Sequence, residues 1–125
     1  MNPIRVLVAN RPRLIRELLI VTISDQPDIE IVGEIQDEGE LTKAVEETRP
    51  DFLIVALEKS NRLPEVCQKI LRSHPQVRVI AIASDRNISM FYWTSLHIES
   101  NQIETSEAGV LSAIRGKTQS MNTLQ

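Results

Sequence analysis

The chain has 125 residues, of which 42% are hydrophobic and 25% charged, and a net charge of −3. That is enough for one self-sufficient core at ordinary globular composition, which excludes wholesale disorder. The negative balance excludes a chain-wide electrostatic footprint for DNA or RNA, and the single cysteine, Cys67, excludes an internal disulfide.

Short apolar bursts alternate with amphipathic stretches along the chain. Ile4 to Ala9 (IRVLVA) predicts a strand rich in branched residues. Pro12 to Ile23 predicts a helix with proline in its first turn and Leu14, Ile15, Leu18, Leu19, Thr22 and Ile23 on one side. Ile29 to Val32 predicts a second strand ending at Gly33, and Glu38 to Thr48 a helix that stops before Arg49-Pro50. The unbroken apolar run Phe52 to Leu57 has the character of a strand buried on both faces. Leu63 to His74 predicts a third helix, with Val66, Cys67, Ile70 and Leu71 inward, and Val77 to Ala83 a fourth strand. A weak fifth strand is expected near Leu96 to Ile98 or a little later. The last helix is expected over Ser106 to Arg115, after a capping segment at Thr105-Ser106-Glu107.

Strands alternating with helices of about 12 residues predict βαβ units with right-handed crossovers, hence a doubly wound α/β fold on a five-stranded parallel sheet. One domain is expected over residues 1–117, with a polar, frayed tail over 118–125. No apolar stretch approaches the ~20 residues of a membrane span. The first apolar run, Val6 to Ala9, is too short for a secretion signal and is followed by Arg11 and Arg13, so a cytoplasmic domain is expected. In an open parallel sheet, ligands bind beyond the carboxyl ends of the strands. That directs attention to Asn10 and Arg11 after the first strand, Ala56 to Lys59 after the third, and Ala83 to Asp85 after the fourth.

The segments IRVLVANRPRLIREL, QPDIEIVGE, RPDFLIVAL and HPQVRVIAIAS, in this order and at near-constant spacing over residues 4–84, resemble the receiver domain of two-component response regulators. The likeness is to the subtype usually joined to a helix-turn-helix output domain, and a weaker match resumes at Glu107 to Arg115. It implies the flavodoxin-like receiver fold, with a degenerate region where the fourth helix and fifth strand belong, and a role in signalling or transcriptional control. Because a helix-turn-helix domain does not fit before Gln125, action by docking is expected. Receivers hold Mg²⁺ on two acids after strand one and phosphorylate an Asp at the end of strand three. A Thr or Ser ending strand four and a Lys ending strand five contact the phosphoryl oxygens.

Carried over residue by residue, the acid pair falls on Asn10 and Arg11, the acceptor on Ala56, and the hydroxyl on Ala83 with Ser84 beside it. The lysine has no counterpart, because no Lys lies between Lys69 and Lys117. An acyl phosphate requires a carboxylate nucleophile, which a methyl group cannot supply. Mg²⁺ requires hard oxygen ligands, which Arg11 lacks. The loss of all these groups together points to a pseudo-receiver that has abandoned phosphorylation, with no catalytic residue, no bound metal and no cofactor. Glu58 completes the degenerate pocket. With Asn10 and Asp85 it offers an oxygen-rich cluster; as ordinary loop acids, Glu58 or Asp85 would pair with Arg11.

Phe91, Tyr92 and Trp93 hold three of the four aromatic residues and lie on the surface receivers use for partners. They are candidate interface anchors, or else a cap on a thin core. At least one should be exposed, because three consecutive residues cannot all face one way. Leu18 and Ile20, on an almost wholly apolar first helix, are the competing interface. His74, at a helix end, suits a carbonyl contact. His97 has no triad partner, and Cys67 lies on an apolar stripe. The composite expectation is a regulatory module that binds a protein partner or itself, with a homodimer as the default and no nucleic acid or membrane contact. The alternative is a sensor of a small anionic ligand in the vacated pocket, and an enzyme ranks last.

Overall fold

The computed structural model describes residues 3–9, 13–83, 85–94 and 98–116. Six strands run β1 (Ile4–Ala9), β2 (Ile29–Glu34), β3 (Phe52–Ala56), β4 (Arg78–Ala83), β5 (Ile88–Thr94) and β6 (Ile98–Ile103). Four helices are interleaved: α1 (Arg13–Ser24), α2 (Leu41–Thr48), α3 (Glu65–Ser73) and α4 (Glu107–Ile114). A 3-10 turn, Glu38–Glu40, precedes α2; Asp37 caps it by accepting from the Gly39 N–H at 2.9 Å.

The sheet order is β2-β1-β3-β4-β5-β6. The first four strands are mutually parallel, whereas β5 is antiparallel to both β4 and β6. This corrects the expected five-stranded parallel sheet. The stretch expected to hold a receiver's fourth helix is the strand β5, so a meander replaces a crossover. Two reversals restore direction: β6 runs the same way as β4 and supplies the late fifth parallel-running strand, displaced outward by one position. The local chemistry favours this outcome. Ile88 to Thr94 is dense in branched and aromatic residues, and Asn87, at φ 53°, takes the left-handed conformation that lets the chain turn back.

Side-chain alternation divides the apolar residues between two cores. Leu7, Leu53, Val55, Val79, Ala81 and Tyr92 pack under α2 and α3, with Leu41, Val45, Cys67, Ile70 and Leu71. Val6, Val8, Ile54, Ile80, Ile82 and Phe91 pack under α1 and α4, with Ile23, Val110 and Ala113. The central strands are therefore apolar at consecutive positions, as the run Phe52 to Leu57 indicated. Consecutive Phe91 and Tyr92 are both buried because they enter opposite cores. Phe91 stacks on Phe52 at 6.1 Å and lies 5.4 Å from half-buried Trp93. The expectation that one of the three is exposed fails because it assumed a single covered face.

Ser106 caps α4 by accepting from the Gly109 N–H at 3.0 Å, as its position predicts. His74 ends α3, its backbone N–H donating to Ile70 O at 2.7 Å. On α1, the guanidinium of Arg16 is buried and its Nε donates to Glu34 Oε1 at 2.6 Å, fastening the helix to the end of β2.

Candidate functional site

The carboxyl ends of β1, β3 and β4 lie side by side. Ala9 pairs with Val55, and Ala56 pairs with Ile82. Three alanines, Ala9, Ala56 and Ala83, close these strands; Ala56 is partly exposed and the other two are buried. Asn10, Arg11 and Ser84, which continue from Ala9 and Ala83, lie outside the described residues, as does His97. The strand next to β4 contributes Ile88, which pairs with Ala83, and Ile103 follows one strand further out, opposite Ser89. The alanines and Ile88 present methyl and methylene groups to this edge, which makes it chemically inert at the positions described.

The polar groups sit one layer above, in the loop after β3 and the turn after β4. Glu58 and Asn61 form a tight turn, with Asn61 N–H donating to Glu58 O at 2.8 Å and Asn61 at φ 60°. Arg86 reaches across to it. Its Nη2 donates to Glu58 O at 2.6 Å, its Nε to Asn61 Oδ1 at 3.0 Å, and its Nη1 to Asp85 Oδ2 at 3.1 Å. The guanidinium thus ties two loops over the strand ends. Asp85, one of two expected partners of Arg11, accepts from Arg86; Arg11 itself lies outside the described residues. Sequence inspection passed over Arg86: a turn arginine follows no periodicity, and only its proximity to the turn-forming Asn61 and Asn87 could have marked it. Arg16 was missed for the opposite reason, being a cation inside an apolar helical pattern.

Among the described residues, no group of three His, Cys, Asp or Glu side chains is gathered as a metal site, and no helix is long and apolar enough to cross a membrane. Burial pushes the Cys67 thiol up to about 12, with Glu38 and Glu58 adding to the effect, so it is a thiol and not a thiolate at neutral pH. Burial likewise raises Tyr92.

The two candidate interfaces differ in the structure. Phe91 and Tyr92 are core residues, with 0% and 9% exposure, so within this chain they offer no exposed anchor. Leu18 is 56% exposed and Val21 63%, whereas Ile20 is half-buried. Beside Leu18, a groove of about 240 Å³ runs between α1 and α4, floored by Ile82 and by Ser89, whose hydroxyl lies 2.8 Å from that of Thr105.

No protein-family model matches the chain. It is 30% identical over 84 residues to the response regulator GacA of Pseudomonas viridiflava, covering 63% of this chain and 37% of that protein. It is 37% identical over 60 residues to a protein-glutamate methylesterase/protein-glutamine glutaminase of Koribacter versatilis, covering 48% and 16% respectively. The chain therefore spans well under half the length of these relatives. Among solved structures it is similar to the signal receiver domain of NarL from Mycobacterium tuberculosis, with a TM-score of 0.57, 21% identity and coverage of 67% of this chain and 68% of that one. It is also similar to the response regulator domain of CheB from Thermotoga maritima, with a TM-score of 0.56, 30% identity and coverage of 66% and 62%. Sequence and fold alike resemble the receiver domains of response regulators, on a sheet that carries an added antiparallel strand.

Proposed function

We propose that this receiver-like module regulates by protein–protein contact, in the cytoplasm and without phosphorylation, metal or catalysis of its own. The observation that carries this reading is the row of alanines at the strand ends: Ala56 occupies the place of the acceptor carboxylate and has no nucleophilic atom. Two further features support it. No Lys lies between Lys69 and Lys117, and the strand beside β4 brings Ile88 to the edge where receivers place that lysine. A switch needs two arrangements of its loops, and Arg86 holds the loops above the site in one, through three acceptors. Arg86 itself is engaged by protein oxygens and offers no anion site. The test is intact mass after incubation with Mg²⁺ and acetyl phosphate. An unchanged mass is expected; a stable single phosphoryl adduct, for instance on Glu58 or Asp85, overturns the reading.

A further inference from the structure

The two edges of the sheet are built differently. The β2 edge is guarded: its register against β1 shifts between Val6 and Leu7, so that Leu7 faces Gly33, and Glu30 and Glu34 project from it. A Cβ at Gly33 would lie 2.8 Å from Leu7 Cδ1, so a larger residue there needs the leucine to shift. Bulges and charges of this kind are the usual defence of a strand edge against pairing with another chain. The β6 edge has no bulge and a single charge, Glu99. All six residues, Ile98 to Ile103, pair with β5 in unbroken register, so alternate backbone N–H and C=O groups point away from the sheet. The sequence IESNQI contains no Lys, Pro or Gly and only one charge.

We propose that the β6 edge pairs with the β6 edge of a second copy, antiparallel about a two-fold axis at Ser100, joining the two sheets into one. This deepens the reading of an interaction module by naming its docking surface. The side-chain pattern fits a second copy. In antiparallel pairing, opposite residues share a face, so the axis must fall on a residue and not between two. With the axis at Ser100, Ser100 faces its own copy, Glu99 faces Asn101, and Ile98 faces Gln102. No like charges stand opposite each other in this register, and each lone acid meets an amide. Ser100, small and exposed, sits at the axis, and the regular, unbulged strand supplies matching hydrogen-bond spacing along its length. The assembly is isologous and closes on itself.

Sedimentation velocity and equilibrium on the full chain, without Mg²⁺ or phosphodonor, provide the test. The wild type is expected to show a concentration-dependent monomer–dimer equilibrium. Ser100→Lys sets two like charges face to face and is expected to raise the dimer dissociation constant at least tenfold, with an unchanged melting temperature for the monomer. Ser100→Cys is expected to form an intermolecular disulfide with oxidised glutathione, because directly opposed antiparallel residues lie within disulfide range and Cys67 is buried. A chain that stays monomeric at several hundred micromolar, even if it binds a strand from another protein, overturns the proposal. So does a dimer indifferent to Ser100→Lys, or one that dissociates only on Trp93→Ala. These outcomes are independent of the acetyl phosphate experiment, so either idea can fail alone.

Discussion

Replacing Arg86 with alanine tests whether the loops above the strand ends are held by one side chain. Three contacts are lost. The bond to Asp85 joins neighbouring residues and its carboxylate is 71% exposed, which places it among surface pairs worth under about 1 kcal/mol. The bonds to Glu58 O at 2.6 Å and Asn61 Oδ1 at 3.0 Å are charge-assisted, and the Arg86 side chain is only 26% exposed, so about 1 kcal/mol each is reasonable. The expected loss is thus about 2 kcal/mol. For a chain of 125 residues that corresponds to a melting temperature lower by about 7 °C. Urea titration gives the free energy, and hydrogen exchange gives its location: the Asn61 amide, bonded to Glu58 O at 2.8 Å, should lose protection while the β3 amides keep theirs. Asp85→Asn should change stability by less than about 0.5 kcal/mol. A change below that size in Arg86→Ala, with unaltered exchange at Asn61, refutes the argument that Arg86 fixes this loop.

Gly109→Ala should be destabilising by about 3 kcal/mol in a thermal or urea melt, since the new Cβ would lie 2.0 Å from the backbone oxygen of Glu104 and the start of α4 must move. The Cys67 thiol should be inert to Ellman's reagent at pH 8 in the folded chain and react on adding denaturant. Its raised value means a contribution to stability that is whole below pH 9 and is lost as the pH rises towards 12, measurable by urea titration across that range. Asp28 is held below the usual carboxylate range chiefly by its hydrogen bonds from Arg115, at 2.8 and 2.9 Å. Its contribution is present above pH 4 and falls as acid protonates it, and Arg115→Gln should flatten that acid limb of the stability curve.

The first two-thirds of the chain are legible without coordinates because every element there obeys its own period. Phe52 to Leu57 is apolar at each position, since both faces of β3 are covered, and Leu41 with Val45 marks one stripe of α2. Ser106 is legible as a cap because a hydroxyl before an apolar helix satisfies an orphan N–H. Residues 88–103 are different. Phe91, Tyr92 and Trp93 read as interface anchors or a core cap, at a place the resemblance gives to a fourth helix and fifth strand, although Ile88 to Thr94 has strand composition throughout. The alternation was hidden because both faces of β5 are apolar. The site divides in the same way: the alanines at the strand ends follow directly from strand placement, whereas Arg86 depends on two turns meeting in space.

The added strand bears on whether receiver-type phosphoryl chemistry could be built on this sheet. Neighbouring strands lie about 4.8 Å apart. In a five-stranded receiver, the last strand borders the fourth; here β5 intervenes, and Ile103 at the end of β6 pairs with Ser89 and not with Ala83. A lysine placed at that end would stand about 10 Å from β4, two strand spacings away and not one. Single substitutions exchange side chains but leave strand order untouched. An aspartate at position 56 with acids at 10 and 11 would therefore supply the letters of a receiver's site without its strand order. The meander fixes this strand order, and a receiver's order would require 88–103 to refold as a helix and a relocated strand.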